Sequence, residues 1–198
     1  MNIQQGDSIA LTQILEEIGK CDVCAANIPA PNPVVRIHEQ SRILIIGQAP
    51  GRKVHETGVP WNDPSGRRLR EWLGIDDATF YDATTVALVP MGFCYPGKGK
   101  SGDLPPRPEC APKWHEQVLS QLPNVQCTIL IGQYAQNYYL KDGYKSLTER
   151  IQNWREFAPQ HYVLPHPSPR NQSWLKRNPW FEEEVLPQLR AKVRSLTS

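Results

Sequence analysis

Four consecutive apolar residues, Ile43-Leu44-Ile45-Ile46, break off abruptly into Gly47-Gln48-Ala49-Pro50-Gly51. The run is mostly β-branched and carries no alternating polar residue. It therefore fits a strand covered on both faces, as in a parallel sheet, better than a half-exposed one. Ligands of open α/β sheets bind beyond the carboxyl ends of the strands. Gly47 and Gly51 permit close backbone approach and Pro50 stiffens the turn, so the loop after this strand is where a site is expected. A plain connecting turn is the alternative that this stretch alone leaves open.

The rest of the chain repeats the theme. Cys127-Thr128-Ile129-Leu130-Ile131 is a second apolar run stopped by a glycine, Gly132. Residues 83–90 and 161–164 read as two further strands, and Val34 to Ile37 as a short one. Between them lie helical patterns. Residues 7–19 carry Ile9, Leu11, Ile14, Leu15 and Ile18 on one face behind an Asp7 or Ser8 cap. Asp63 and Pro64 make a cap and first turn for a helix that runs to Gly74. Residues 113–121, a stretch to about Leu140, residues 146–156 and the segment after Asn178-Pro179 are helical too. Pro187 must kink or restart the last of these. Residues 52–60 read as a polar loop and 91–111 as a long loop. Strands alternating with helices predict a single domain over residues 1–198, a three-layer α/β/α sandwich around a mainly parallel four-stranded sheet.

Bulk properties narrow the partners. The 198 residues carry a net charge of only +2, so any nucleic-acid contact must come from a local basic patch. No 18-residue apolar run is present, which predicts no transmembrane helix. The first residues lack a basic start and an apolar h-region, so a cytoplasmic location is expected. Five cysteines in such a chain suit metal ligands or free thiols better than disulfides.

Pro165-His166-Pro167-Ser168-Pro169 uses three prolines to immobilise one imidazole and one hydroxyl, as a preorganised site would. Together with Gly47-Gln48-Ala49-Pro50-Gly51, the stretch His166-Pro167-Ser168-Pro169-Arg170-Asn171 resembles the two active-site motifs of the uracil-DNA glycosylase superfamily. The first is similar to the Gly-Glu-Ala-Pro-Gly form of the iron–sulfur (family 4) enzymes. The second is close to the His-Pro-Ser-Pro motif of the single-strand-selective branch. Gly58-Val59-Pro60-Trp61 followed by Ser65-Gly66-Arg67-Arg68-Leu69 is similar to the family's Gly-x-Pro-Phe…Ala-Gly-x-x-Leu. The resemblance covers roughly residues 20–190.

What the resemblance implies is a hydrolase of DNA repair. It would cut the N-glycosidic bond of uracil, or of another deaminated base, flipped out of DNA into a tight pocket. A monomer with DNA as its partner is expected. His166 would stabilise the departing base anion. Gly47, Ala49, Pro50 and Gly51 would line the base pocket with Trp61 as the stacking platform and Asn62 beside it. Ser168, Arg170, Asn171 and Arg67 would contact DNA, within a rim of Arg52, Lys53, Arg68 and Arg70. Asn62 or Asn171 would read the base edge. Cys21 and Cys24, in a C-x2-C, and Cys94 and Cys110, in a C-x15-C, resemble the family-4 ligand set for a [4Fe–4S] cluster, with zinc as the alternative. The remaining Cys127 lies inside a strand and reads as a core residue.

The chain also departs from the family. Ala49 stands where some branches place a water-activating Asp or Asn. Gln48 stands where family 4 has Glu, and an amide cannot act as a base. Pro90 stands where family 4 has a pyrimidine-reading Asn. His55, Glu56 and Asp63 are therefore the candidates for the base, with Asp63 also an N-cap candidate, and Gln48 stays with His166 among the catalytic residues by its place in the first motif. The competing reading is a non-catalytic nucleic-acid-binding relative that keeps the pocket. A small-molecule hydrolase on the same sandwich is a third, weakened by the absence of a Gly-x-Ser-x-Gly elbow.

Overall fold

Strand β1 (Ile43–Ile46) is buried at all four positions in the computed structural model, which describes residues 8–198. It follows helix α1 (Ile9–Gly19) and precedes α2 (Arg52–Thr57), α3 (Pro64–Leu73), α4 (Asp77–Tyr81) and β2 (Val86–Leu88). A small hairpin, β3 (Lys98–Gly99) and β4 (Gly102–Asp103), leads to α5 (Cys110–Ser120) and β5 (Cys127–Ile131). Then come α6 (Gly132–Tyr139), α7 (Leu147–Gln152), β6 (His161–Leu164), α8 (Gln172–Arg177) and α9 (Leu186–Thr197). The main sheet has the order β2-β1-β5-β6 and every pairing is parallel.

The reason β1 contains no polar residue is visible in the packing. Ile43 and Ile45 enter a core with Leu69, Trp72 and Leu73 of α3 and Leu186, Leu189 and Val193 of α9. Leu44 and Ile46 enter a second core, on the opposite face, with Leu11, Leu15 and Ile18 of α1 and Trp114 and Val118 of α5. Alternate side chains of one strand thus serve two helical layers, which is the three-layer sandwich.

Local chemistry sets the helix ends. Ser8 Oγ accepts the Leu11 N–H at 3.2 Å and caps α1; the other candidate, Asp7, lies outside the described residues. Asp63 Oδ1 accepts the Gly66 N–H at 2.7 Å and Gly74, left-handed, stops α3. Pro187 falls in the first turn of α9, where a missing N–H is harmless, just after a π-helical turn over Phe181–Val185.

Several expectations are corrected. Residues 52–57 form α2 rather than loop, started by extended Gly51 and ended by left-handed Gly58; Val54 is its one buried residue, so no apolar period marked it. Val34 to Ile37 contributes one isolated bridge, Arg36 to Leu88, and no ladder. Only Val86–Leu88 of the 83–90 stretch pairs as strand. The segment 146–156 divides into α7 and a 3-10 turn, Trp154–Glu156. Helices α4 and α8 are too short to show an apolar period in the sequence. No helix among the described residues is long and apolar enough to cross a membrane.

His115 on α5 ties the second core to the sheet edge. It is 1% exposed, stacks between Phe93 and Tyr139, and shares a hydrogen bond with the Tyr139 hydroxyl. Its Nε2 donates to the Pro90 carbonyl at 3.0 Å, just past β2. Burial lowers its pKa to about 4, so the folded protein holds it neutral while the unfolded chain takes up a proton near pH 6.5. The unfolded state therefore binds more protons between these values, and stability falls as pH drops from about 6.5 towards about 4, by on the order of 3 kcal/mol from this residue. Urea unfolding across that range should show the loss, and His115→Gln should reduce the slope.

Candidate active site

Three loops leave the carboxyl edge of the sheet together: 47–51 after β1, Pro90 after β2, and 165–171 after β6. From β1 the chain passes first to β2 on one side and later to β5 on the other, and that divergence opens a crevice at the strand ends. There the residues Gly47 to Gly51, Val54, Pro60, Trp61, Asp63, Pro90 and His166 surround a hollow of about 480 Å³, mouth included, floored by Val34 and Leu88. The two motifs, far apart in sequence, meet across one cavity.

Trp61 and His166 form adjoining walls, with ring centroids 5.8 Å apart and planes inclined by 29°. The indole is held by its backbone as much as by its ring. Trp61 has φ +57°, a left-handed conformation that costs a side-chain-bearing residue about 1–2 kcal/mol. Two glycines make room for it. A Cβ on Gly66 would lie 1.8 Å from the Trp61 carbonyl oxygen, and one on Gly47 would lie 2.8 Å from the indole. The Tyr81 hydroxyl donates to the Pro60 carbonyl at 3.0 Å and Arg70 donates to the Trp61 carbonyl at 3.3 Å. Arg70 also pairs with Asp77 at 2.6 Å, so it braces the Trp61 turn and is not part of a basic rim.

His166 is fixed from behind. The Asn171 side-chain amide donates to its carbonyl at 2.7 Å, and Ser168 Oγ accepts the Arg170 N–H at 3.2 Å to close the turn. Burial lowers the imidazole pKa, while the negative charge of Asp63 partly opposes it. His166 is therefore neutral at pH 7. Asp63 has two tasks, capping α3 and facing the imidazole across the hollow. The carbonyls of Gly47 and Gln48 are already engaged by the N–H groups of Met91 at 2.9 Å and Gly92 at 3.0 Å.

The hollow opens into a longer groove that shares Gln48 to Gly51, Asp63 and His166. Ser65, Ser168, Arg170 and Asn171 wall one side, and Lys98, Ser101 and Asp103 of the hairpin wall the other. Arg68 donates to the Ser168 carbonyl at 3.2 Å and to Gln172 at 3.1 Å, stitching α3 to the second motif. Arg67 is exposed on α3 outside the groove lining. His55, Glu56 and Asn62 line neither the hollow nor the groove. His55 packs against Tyr95, its ring centroid 5.8 Å away, and Glu56 lies 3.9 Å from Arg52 on the surface.

These features have a counterpart among known proteins: a model of the uracil DNA glycosylase superfamily matches residues 35–190. The chain belongs to that superfamily. Members of the uracil DNA glycosylase superfamily are hydrolytic glycosylases that act on DNA. The match is to the superfamily as a whole and does not reach the N-terminal cysteine pair.

A second hollow, of about 450 Å³, is lined by Cys21, Cys24, Cys94 and Cys110. All four thiols are free, and the Phe93 N–H donates to Cys110 Sγ at 3.3 Å. Cys110 is pushed up to about 12, first by burial, so an isolated thiolate is disfavoured there. Among the described residues no three His, Cys, Asp or Glu side chains converge as on a single metal ion. Tetrahedral zinc would draw its thiolates to about 3.8 Å from one another, given Zn–S bonds of about 2.3 Å. The hollow brings thiols from two separated segments, 21–24 and 94–110, to one place, and soft sulfur donors of this kind suit zinc or an iron–sulfur group. Cys127 is buried in β5, as expected.

Sequence reasoning missed the hairpin wall. Its signal was present in Tyr95-Pro96-Gly97, Gly99 and Gly102, a density of turn residues that marks a tight reversal rather than an open loop. For His166 the expected outcome of an NMR titration of the ring protons is a midpoint below 6.5. Asp63→Asn should move that midpoint lower still, because it removes the charge that opposes the burial effect.

Proposed function

We propose that this protein hydrolyses the N-glycosidic bond of uracil, or of another deaminated base, flipped out of DNA. The observation that carries the reading is the meeting of Trp61 and His166 on one hollow at the sheet's carboxyl edge, open to a polar groove. The extruded base stacks on the Trp61 indole, and backbone N–H groups of Gln48 and Ala49 bond its edge. As the bond breaks, negative charge gathers on the base. His166, already neutral, donates from its ring N–H to that charge without first losing a proton to solvent. The negative charge of Asp63 beside the imidazole opposes loss of that ring proton, so His166 stabilises the base anion by hydrogen bonding rather than by giving the proton up. Ser168 and Asn171 meet the strand in the groove. With Pro90 in the reading position, the pocket gains shape and loses an amide, which supports a substrate range narrower than that of a general uracil glycosylase.

The four cysteines of the second hollow would hold a [4Fe–4S] cluster. When bound, that cluster would act as a structural clamp between the 21–24 turn and the start of α5. The Phe93 N–H is placed to stabilise thiolate charge on Cys110.

Release of abasic product from oligonucleotides bearing uracil, hypoxanthine or xanthine tests the reading. At least one should be cut, and His166→Ala should slow that cut by about 10²–10³-fold with the fold intact. Binding without cutting any lesion would favour the non-catalytic relative instead. Protein purified without oxygen should be brown, and Cys21→Ser should bleach and destabilise it. A colourless protein with stoichiometric zinc would mean that the four thiols hold zinc in place of a cluster.

A further inference from the structure

Two carboxylates line the groove, and one of them, Asp63, also lines the hollow. One, Asp63, has Oδ1 committed to the Gly66 N–H and directs its charge at His166. The other, Asp103, belongs to the hairpin and lies outside both motifs. Its Oδ1 accepts the Tyr95 hydroxyl at 3.2 Å. Its Oδ2 lies 3.6 Å from the point where a Cβ on Gly51 would stand, over the end of the first-motif loop. That loop supplies no acid of its own, since it reads Gly-Gln-Ala-Pro-Gly.

The hairpin holds this carboxylate in place. Lys98 is the cross-strand partner of Asp103, and the Leu104 N–H donates to the Gly97 carbonyl at 2.8 Å. From the second motif, Arg170 reaches over the groove to donate to the Ser101 carbonyl at 2.9 Å. Gly102, at φ +142°, is what lets the guanidinium in: a Cβ there would lie 2.6 Å from Arg170 Nη1. So Arg170 secures the segment that carries Asp103, and the carboxylate is preorganised across the mouth from His166.

We propose that Asp103 activates the attacking water, an inference that rests on the glycosylase reading above. The C1′–N bond breaks and its electron pair leaves with the base, where His166 stabilises the anion. The water oxygen bonds to C1′, and its proton passes to the free oxygen of Asp103. The products are an abasic sugar and the base, which takes up a proton from solvent. The negative charge of Asp103 also opposes the positive charge on the sugar. In the free protein Asp103 is exposed; a strand lying in the groove covers it and excludes other water.

Single-turnover excision from the best-cut lesion oligonucleotide tests this. Asp103→Asn should lower the rate by about 10²–10⁴-fold while oligonucleotide Kd and thermal midpoint stay as in wild type. Added formate should partly restore Asp103→Ala, because a small carboxylate can occupy the vacated space, and should leave Asp63→Ala unrestored. Wild-type rates in Asp103→Asn, or a loss in Asp103→Ala that formate does not relieve, overturn the assignment while leaving the glycosylase reading intact. A wild-type protein that cuts no lesion overturns both.

Discussion

Strand β1 is hydrogen-bonded along both edges, to β2 and β5, and its two faces are packed by different helical layers. Nothing about it is free to move except its ends. The loop that leaves its carboxyl end therefore starts from a fixed point, and so do the loops after β2 and β6, which belong to the same parallel sheet. A site assembled from these loops inherits the rigidity of the sheet while each loop stays open to change in sequence. This is how Gly47 to Gly51 and His166 come to share one cavity.

The cavity stores a small strain. Trp61 sits in a backbone region that suits glycine, above a helix whose first turn admits no side chain at Gly66. Tyr81, Arg70 and Asp77 act together to hold that turn. The arrangement fixes the indole at a set angle to the imidazole, where a looser loop would let it swing into the hollow. Arg70 and Arg68 illustrate how a run of arginines can mislead. Arg67, Arg68 and Arg70 are neighbours in sequence, yet one is exposed, one ties α3 to the second motif and one is a brace under the platform.

The parts of this structure that were legible in the sequence are those governed by local rules. Apolar runs ending in glycine gave away the central strands, and Asp63-Pro64 with Gly74 gave away both ends of α3. His166 was legible because three prolines hold its imidazole still, a stiffness that an ordinary surface turn does not need. What was hidden depends on tertiary contact. The short helix α2 carries almost no apolar face, so only Gly51 and Gly58 mark it. His55 and Glu56 looked well placed because they follow the first motif closely, but the helix turns them away from the hollow. Asp103 looked like part of a connecting loop because Arg170, which secures its segment through the Ser101 carbonyl, and Gly51, over which it lies, are brought near by folding alone.

Cys94 and Cys110 bracket the segment that contains the hairpin. Fastening both of its ends to one inorganic core would shorten the set of paths open to the intervening chain, much as a staple does for a loop. The inner portion of that segment forms one bank of the groove. If the four thiols hold such a core, an oxidant that dismantled it would let that bank drift. A repair protein built this way would lose its grip on DNA under the same chemical stress that damages bases.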